Sequence, residues 1–418
     1  MGNPMKKVYV LILFVLSSIS LTAETLTLDK CIELGLKNSF TIFDQEIKLK
    51  KSKQSLLSTY YDFIPNISSN VKYNEMHNSL DNISKTAELS ISEYIYSNDS
   101  RYFNIRRNTS ALKQNRINYQ LKKRQFIIQV LNYYLNVLQE QKLVEIKKKN
   151  LALSEKQLAM TELLYNLNKI AKLDLDRAKL DVSTTKLGIL MQKKKLESTK
   201  LDLLQLIGLD LHTEYTLDTL TYRFTEYKKT QYTPGLSITF EKEQLFQDKL
   251  NYWQRKLELY PTLALSISKR FTWDLEETKY FSDYDDTWNF SAEVSYPILS
   301  LFTRNPEVKN AKYQYISQQR NLENLLSSEN IKFQKALLDY QNSKEQLALL
   351  KEQVKLEKMH LEFIEQKYKL GMIDIIKLEE ARNKYIDAQY NEIDGYYKLI
   401  KLNEELNLIS DEKILGKY

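Results

Sequence analysis

The chain has 418 residues, of which 28% are charged and 43% apolar, so its composition excludes a disordered protein. Its 8 glycines and 6 prolines amount to about 3% of the residues, against roughly 12% in average proteins, which predicts few turns and long secondary-structure elements. The net charge is +7. Lysines and glutamates alternate along helical faces, which favours a solvated helix surface over a nucleic-acid interface.

The N-terminus has the pattern of a secretory signal peptide, which we assign to residues 1–23. Lys6 and Lys7 precede a short apolar run, and small residues end the segment at Ala23. An N-terminal membrane anchor is the alternative, although the apolar run is short for a membrane span. The later sequence contains no run of 18 apolar residues, so we expect any membrane-spanning part to consist of strands.

The chain has one cysteine, Cys31, and three histidines that lie far apart in sequence. A single cysteine excludes an internal disulfide, and no spacing typical of zinc ligands occurs. Cys31 falls on the apolar side of a predicted helix, so we expect it in the core. Neither a metal nor another cofactor is expected.

Two long segments of the chain resemble one another at a constant offset of 203 residues. Tyr165 and Asn168 correspond to Tyr368 and Gly371 at this offset, and Ala178 corresponds in the same way to a second alanine, Ala381. The sequence therefore predicts two structural repeats. We assign residues 24–208 to a first repeat of a helix, two strands and a long helical hairpin, 209–250 to a linker and equatorial region, 251–410 to a second repeat of two strands and a long helical hairpin, and 411–418 to a C-terminal tail.

The longest segments have the apolar spacing of packed helices. In the second repeat one stripe, interrupted at Glu357, consists of Leu347, Leu350, Val354, Leu361, Ile364 and Tyr368, and another consists of Leu349, Leu356 and Phe363. Two stripes predict neighbours on both sides, as in a ring of helices. Residues 307–366 contain neither Gly nor Pro, which predicts one helix that is roughly 90 Å long.

Each hairpin is predicted to turn at a residue that tolerates the left-handed backbone conformation. This residue is Asn168 in the first hairpin and Gly371 in the second. A plain helical hairpin with no function at its tip is the alternative interpretation.

Short alternating segments predict strands. Residues 288–296 place Trp288, Phe290 and Tyr296 on one side and polar residues on the other. This period of two is what a membrane β-barrel strand requires, and aromatic residues such as Trp273 near the strand ends favour the membrane interface. A soluble sheet with one wet face is the alternative, and Lys269 falls on the apolar side. Four strands are too few to close a barrel, so we expect several chains to share one.

Taken in order, these features resemble the TolC family of outer-membrane efflux and secretion channels. The resemblance covers about residues 26–408 and is carried by the opening segment 26–38, the proline-led strands at Pro65 and Pro261, the segment 296–299 and the tip 368–371. It implies an α+β membrane protein that forms a homotrimer. In such a trimer, long α-helical hairpins form a periplasmic α-barrel, and each chain contributes four strands to a 12-stranded outer-membrane β-barrel.

The resemblance also implies a function, that of the passive exit duct of a tripartite efflux pump or a type I-like secretion system. Such a channel lies in the outer membrane and extends into the periplasm. Its partners are outer-membrane lipid, a periplasmic adaptor (membrane fusion) protein and an inner-membrane transporter. No phosphate-binding loop, nucleophile elbow or helical histidine pair occurs in the sequence, so we do not expect an enzyme.

Two other classes of protein are alternatives to the channel. A periplasmic coiled-coil structural protein without a pore would not need the alternating strands. An adaptor would carry a β-domain rich in Gly and Pro, and this chain is poor in both.

The resemblance places the periplasmic entrance of the channel at the hairpin tips. The family's acidic constriction corresponds here to Lys377 and Glu380, and Lys377 departs from the acidic pattern. The equivalent positions of the first repeat hold Asp174 and Arg177. We hypothesise an ion-pair network among these four residues, with solvated charges at helix ends as the alternative.

Three further residues belong to the expected entrance. Asp374 lies nearer the turn of the second hairpin. Tyr165 and Tyr368 are candidates for the contacts between helices that hold the entrance shut.

Overall fold

The computed structural model describes residues 24–76, 82–97, 100–213, 215–224, 232–274, 285–296 and 298–418, and the expected signal peptide lies outside them. The first half contains, in order, β1 (Glu24–Leu26), α1 (Leu28–Asn38), α2 (Phe40–Tyr61), β2 (Asn66–Met76), β3 (Asn82–Ser97), α3 (Ser100–Asn166) and α4 (Lys172–Ile207). The second half contains β4 (Tyr215–Leu217), α5 (Leu236–Leu257), β5 (Thr262–Asp274), β6 (Asp285–Ser295), α6 (Ser300–Thr303), α7 (Asn305–Lys369), α8 (Ile375–Ile409) and a 3₁₀ turn (Ile414–Gly416).

The two helical hairpins repeat one another residue by residue. Helices α3 and α7 end at Asn166 and Lys369, and α4 and α8 begin at Lys172 and Ile375, so both pairs of ends are 203 residues apart. The 65 residues of α7 make it roughly 100 Å long, which confirms the long helix that the sequence predicted. None of the described helices combines the length and the apolar character needed to cross a membrane.

The four helices of the hairpins lie side by side in the order α4, α3, α8, α7, because α3 packs against both α4 and α8 and α8 also packs against α7. Helices α4 and α7 therefore form the two edges of this layer within the chain.

Strand β1 pairs in parallel with β4, and four other strands form an antiparallel sheet in the order β2-β3-β5-β6. Its register places Ile91 opposite Lys269 and Lys269 opposite Trp288, so these side chains share one face. The other face is polar, and there the hydroxyls of Ser266 and Ser291 lie 2.6 Å apart. Strands β2 and β6 are the outer strands of the described sheet.

The largest apolar core lies where α1, α3, α4 and α8 meet beside the pair β1 and β4. Cys31 is fully buried in it, as the sequence predicted, and burial raises the pKa of its thiol to about 12. The hydroxyl of Tyr134 donates a hydrogen bond 2.8 Å long to the carbonyl of Asp218, the residue that follows β4, and thereby ties α3 to this segment. This core lies partway along α3, around residues 126–138.

The predicted boundary between residues 250 and 251 falls inside a helix. Helix α5 runs from Leu236 to Leu257 without interruption, because neither Gly nor Pro occurs between Gly235 and Pro261. It precedes β5 as α2 precedes β2, so the helix belongs structurally with the second repeat.

Candidate entrance at the hairpin tips

The two hairpins turn with the same backbone geometry. Asn168 and Gly371 have φ angles of 55° and 71°, in the left-handed region that both residue types tolerate. At each turn two backbone hydrogen bonds close the helix end, from Asn168 N to Tyr165 O and from Lys169 N to Leu164 O in the first, and at positions 203 residues later in the second. This is the Schellman arrangement, which satisfies the last carbonyls of a helix.

Apolar packing holds the two tips together. The buried residues come from all four helices and are Leu164, Ala178, Leu361, Tyr368, Ile375, Leu378 and Ala381. Tyr368 is 3% exposed, and its hydroxyl lies 2.9 Å from that of Thr161 on α3. Burial raises the pKa of Tyr368. The tyrosine of the second hairpin is therefore fixed against the first hairpin, whereas Tyr165 is only half-buried.

A buried arginine, which the sequence did not reveal, links the two hairpins further from the tip. Arg382 on α8 donates to Ser154 Oγ at 3.0 Å and to Gln157 Oε1 at 2.9 Å, both on α3. It also donates to Asp181 Oδ1 on α4 at 2.7 Å. The sequence offered one signal for this contact. Arg382 directly follows Ala381 on the apolar face of α8, and an acid, Asp181, lies on the other hairpin.

The hypothesised ion-pair network is wrong in its partners within one protomer. Arg177 Nε lies 3.3 Å from Glu379 Oε2, not beside Glu380. Successive residues of a helix point about 100° apart, so Glu379 faces the first hairpin and Glu380 stays exposed. Burial, followed by the charge of Asp181, raises the pKa of Glu379, while Arg177 and Arg382 lower it.

The remaining predicted entrance residues line the outer end of the hairpins. Asp374 is the N-cap of α8, and its Oδ1 accepts a hydrogen bond 3.0 Å long from the backbone N of Lys377. The side chain of Lys377 is exposed, and Asp174 is half-buried in the first turn of α4.

Among the described residues, no group of His, Cys, Asp and Glu is arranged to hold a metal ion.

The predicted interface aromatics cluster on the apolar face of the sheet near the ends of β5 and β6 that lie away from the helices. Trp273 stacks with Phe271 at 6.4 Å between ring centroids, and Trp288 stacks with Phe290 at 6.3 Å. Trp288 and Phe290 are 58% and 73% exposed, and Tyr296 follows β6 at its other end.

Lys269 is a cation on this apolar face. Its Nζ lies 3.0 Å from Asp286 Oδ2 and about 5.0 Å from the Trp288 ring centroid. The ion pair and the aromatic ring together compensate a charge on an apolar surface.

The fold is that of solved outer-membrane channels. The structure of VceC, an outer membrane protein from Vibrio cholerae, matches with a TM-score of 0.82 at 14% identity and covers 93% of this chain and 96% of its own. The Campylobacter jejuni CmeC outer membrane channel matches with a TM-score of 0.77 at 16% identity, over 94% of this chain and 87% of its own. The outer-membrane channel OprN matches with a TM-score of 0.77 at 15% identity, over 94% and 90%. No curated protein sequence matches this chain.

Long hairpins joined to an amphipathic sheet thus define an outer-membrane channel subunit as the class of fold. Residues 251–410, which span the second repeat, match the family model described as outer membrane efflux protein. The resemblance to the TolC family and the predicted outer-membrane location are confirmed by these matches.

Proposed function

We propose that three copies of this chain form the passive exit duct of a tripartite efflux pump or a type I-like secretion system. A periplasmic adaptor protein and an inner-membrane transporter would open the duct at the hairpin tips. The proposal rests above all on the continuity of the protomer, in which an amphipathic sheet leads directly into two hairpins, the longer helices of which reach roughly 100 Å. A tube of this length suits passage across a membrane and the periplasm behind it.

Exposed apolar residues on α4 and α7, the two edge helices of the protomer, support the trimer. Leucines on α4 and apolar residues on α7 recur every seven residues and stay exposed in the single protomer. They are Leu173, Leu180 and Leu187 at 78%, 65% and 52%, and Leu349, Leu356 and Phe363 at 66%, 54% and 56%. Seven-residue apolar spacing is the pattern of a coiled-coil seam, and the two seams lie on opposite edges of the helical layer. Joining edge to edge in a ring of three would pair them and bring twelve strands together, four from each chain.

The tip contacts support a closed resting entrance. Tyr368 with Thr161 and Arg177 with Glu379 each join the two hairpins of one protomer. A duct without a catalytic group needs a gate that a partner can release, and these contacts are few enough for a docked partner to break. We therefore assign Tyr368, Arg177 and Glu379 to the closed state, with Lys377, Glu380 and Asp374 at the mouth.

The test is planar-bilayer conductance of the detergent-purified mature protein, with its mass measured in the same detergent. We expect a trimer that inserts and gives discrete, small conductance steps. A water-soluble monomer or dimer that gives no conductance would refute the duct and favour the periplasmic coiled-coil alternative.

A further inference from the structure

The contact between the two repeats inside one protomer provides a template for the contact between protomers. Inside the protomer, α8 of the second repeat packs against α3 of the first. Arg382 of α8 is buried there between Ser154 and Gln157 of α3. If the repeats alternate around a ring, as the proposed trimer requires, α4 of one protomer packs in the same way against α7 of the next.

The offset of 203 residues, shared by the ends of the helices, identifies the residues at the equivalent contact. Arg382 corresponds to Lys179 on α4, and Ser154 and Gln157 correspond to Glu357 and His360 on α7. Because α4 and α7 lie on opposite edges of the helical layer, these three residues can meet only between two chains.

The exposure and the charge partners of these side chains in the single protomer are consistent with a contact to a neighbouring chain. Lys179 is exposed, and no ion pair involving it occurs within the described part of the chain. Glu357 interrupts the apolar stripe of α7 that packs inside the protomer, and it directly follows Leu356 of the exposed seam. Its side chain is 24% exposed and its Oε2 lies 3.7 Å from His360 Nδ1. A carboxylate at the border of a seam requires a cation once the neighbouring chain covers it.

The charge distribution also changes in a complementary way between the two contacts. Inside the protomer, Asp181 supplies the negative charge for Arg382, and the two α3 residues are neutral. The residue equivalent to Asp181 in the second repeat is Lys384, which is a cation. At the edge, therefore, the negative charge has to come from the α7 side, where Glu357 provides it.

We propose that Lys179 of each protomer inserts between Glu357 and His360 of the adjacent copy and forms an ion pair with Glu357. This inference rests on the proposed trimer and specifies its register along the α4–α7 seam. It makes Lys179 and Glu357 residues that select the correct pairing of subunits, since the flanking leucines alone would tolerate a shift of one heptad.

Cross-linking of the full-length protein in membranes tests the contact directly. In the double variant Lys179→Cys/Glu357→Cys, a short bismaleimide should link neighbouring chains and give dimer and trimer bands on a denaturing gel. The single variants should give none, because the native Cys31 is fully buried. The matched control Arg382→Cys/Ser154→Cys should link only within one chain, without an increase in mass.

Charge reversal provides a second measurement that does not need cross-linking. Lys179→Glu should lower the temperature at which the detergent-solubilised trimer dissociates, Glu357→Lys should do the same, and the double reversal should restore most of the loss. A stable trimer that shows neither the cross-link nor the rescue would overturn the register while leaving the proposed duct intact. A parent protein that forms no trimer would instead refute the proposed duct.

Discussion

Arg382 and Asp181 join the two hairpins through a hydrogen bond that is 2.7 Å long, between residues 201 positions apart in the chain. The Arg382 side chain is 3% exposed and that of Asp181 is 21% exposed. A guanidinium so deeply buried is stable only because Asp181, Ser154 and Gln157 all accept its hydrogen bonds. This contact fixes the second hairpin against the first, further along the helices from the turns.

Arg382→Met should destabilise the protein by about 3 kcal/mol, because it leaves Asp181 partly buried without its cation. The measurement is the thermal midpoint of the purified protein. Lys384→Met, an exposed position on the same helix, should change stability by less than about 0.5 kcal/mol. Equal effects of the two substitutions would contradict the role assigned to Arg382.

Glu379 should make the stability of the tip depend on pH. Its pKa in the folded protein is raised above the usual value of 4.5, chiefly by burial and then by Asp181, against the opposing charges of Arg177 and Arg382. The protonated acid is therefore favoured by folding. The stabilisation is complete below the usual pKa and is lost as the pH rises through the raised one.

The thermal midpoint of the parent protein relative to Glu379→Gln should accordingly fall as the pH rises from about 4 to 7. Glu380→Gln, one residue further along and exposed, is the control and should leave the pH profile unchanged. A parallel pair of profiles for the parent and Glu379→Gln would rule out a raised pKa at this carboxyl.

Gly371→Ala should destabilise the second hairpin by about 1 kcal/mol through backbone strain. The φ angle of 71° disfavours any Cβ, although no atom lies within 4 Å of the position that the new Cβ would occupy. Asn168→Gly, at the equivalent turn, removes a Cβ from the left-handed region and should not destabilise. Amide hydrogen exchange in the last turns of α3 and α7 would measure both effects.

Tyr368→Phe should raise the open probability of the channel in bilayers, because it removes the hydroxyl contact with Thr161. The cost in stability should be only about 1 kcal/mol, since the Thr161 hydroxyl keeps its bond to the Gln157 carbonyl at 2.9 Å. Tyr165→Phe is the matched control on the first hairpin. Unchanged gating in Tyr368→Phe would remove this tyrosine from the closed-state contacts.

Phe290→Lys should impair insertion into lipid vesicles, because Phe290 is 73% exposed on the apolar face of the sheet. A lysine on a lipid-facing surface costs about 2–4 kcal/mol near the bilayer centre and less near its interfaces. Ser291→Lys places the same charge on the opposite, polar face and should insert normally. Equal insertion of both variants would argue against lipid contact at the apolar face.

Features that depend on local sequence were predictable. The left-handed turns follow from Asn168 and Gly371, because few residue types tolerate that conformation. The length of α7 follows from the absence of Gly and Pro after Pro306, and the two faces of the sheet follow from alternation with a period of two. The repeat itself follows from one constant offset, which the helix ends reproduce.

Features that depend on which helices meet were decided only by the tertiary structure. A sequence fixes that Glu379 and Glu380 are both acidic, but the packing of α8 on the first hairpin decides that Glu379 faces Arg177. Arg382 looked like one more charged residue on a helix, and its burial depends on three partners from two other helices. Local propensity acts over a few residues, whereas the electrostatic cost of burying a charge is determined by groups about 200 positions away along the chain.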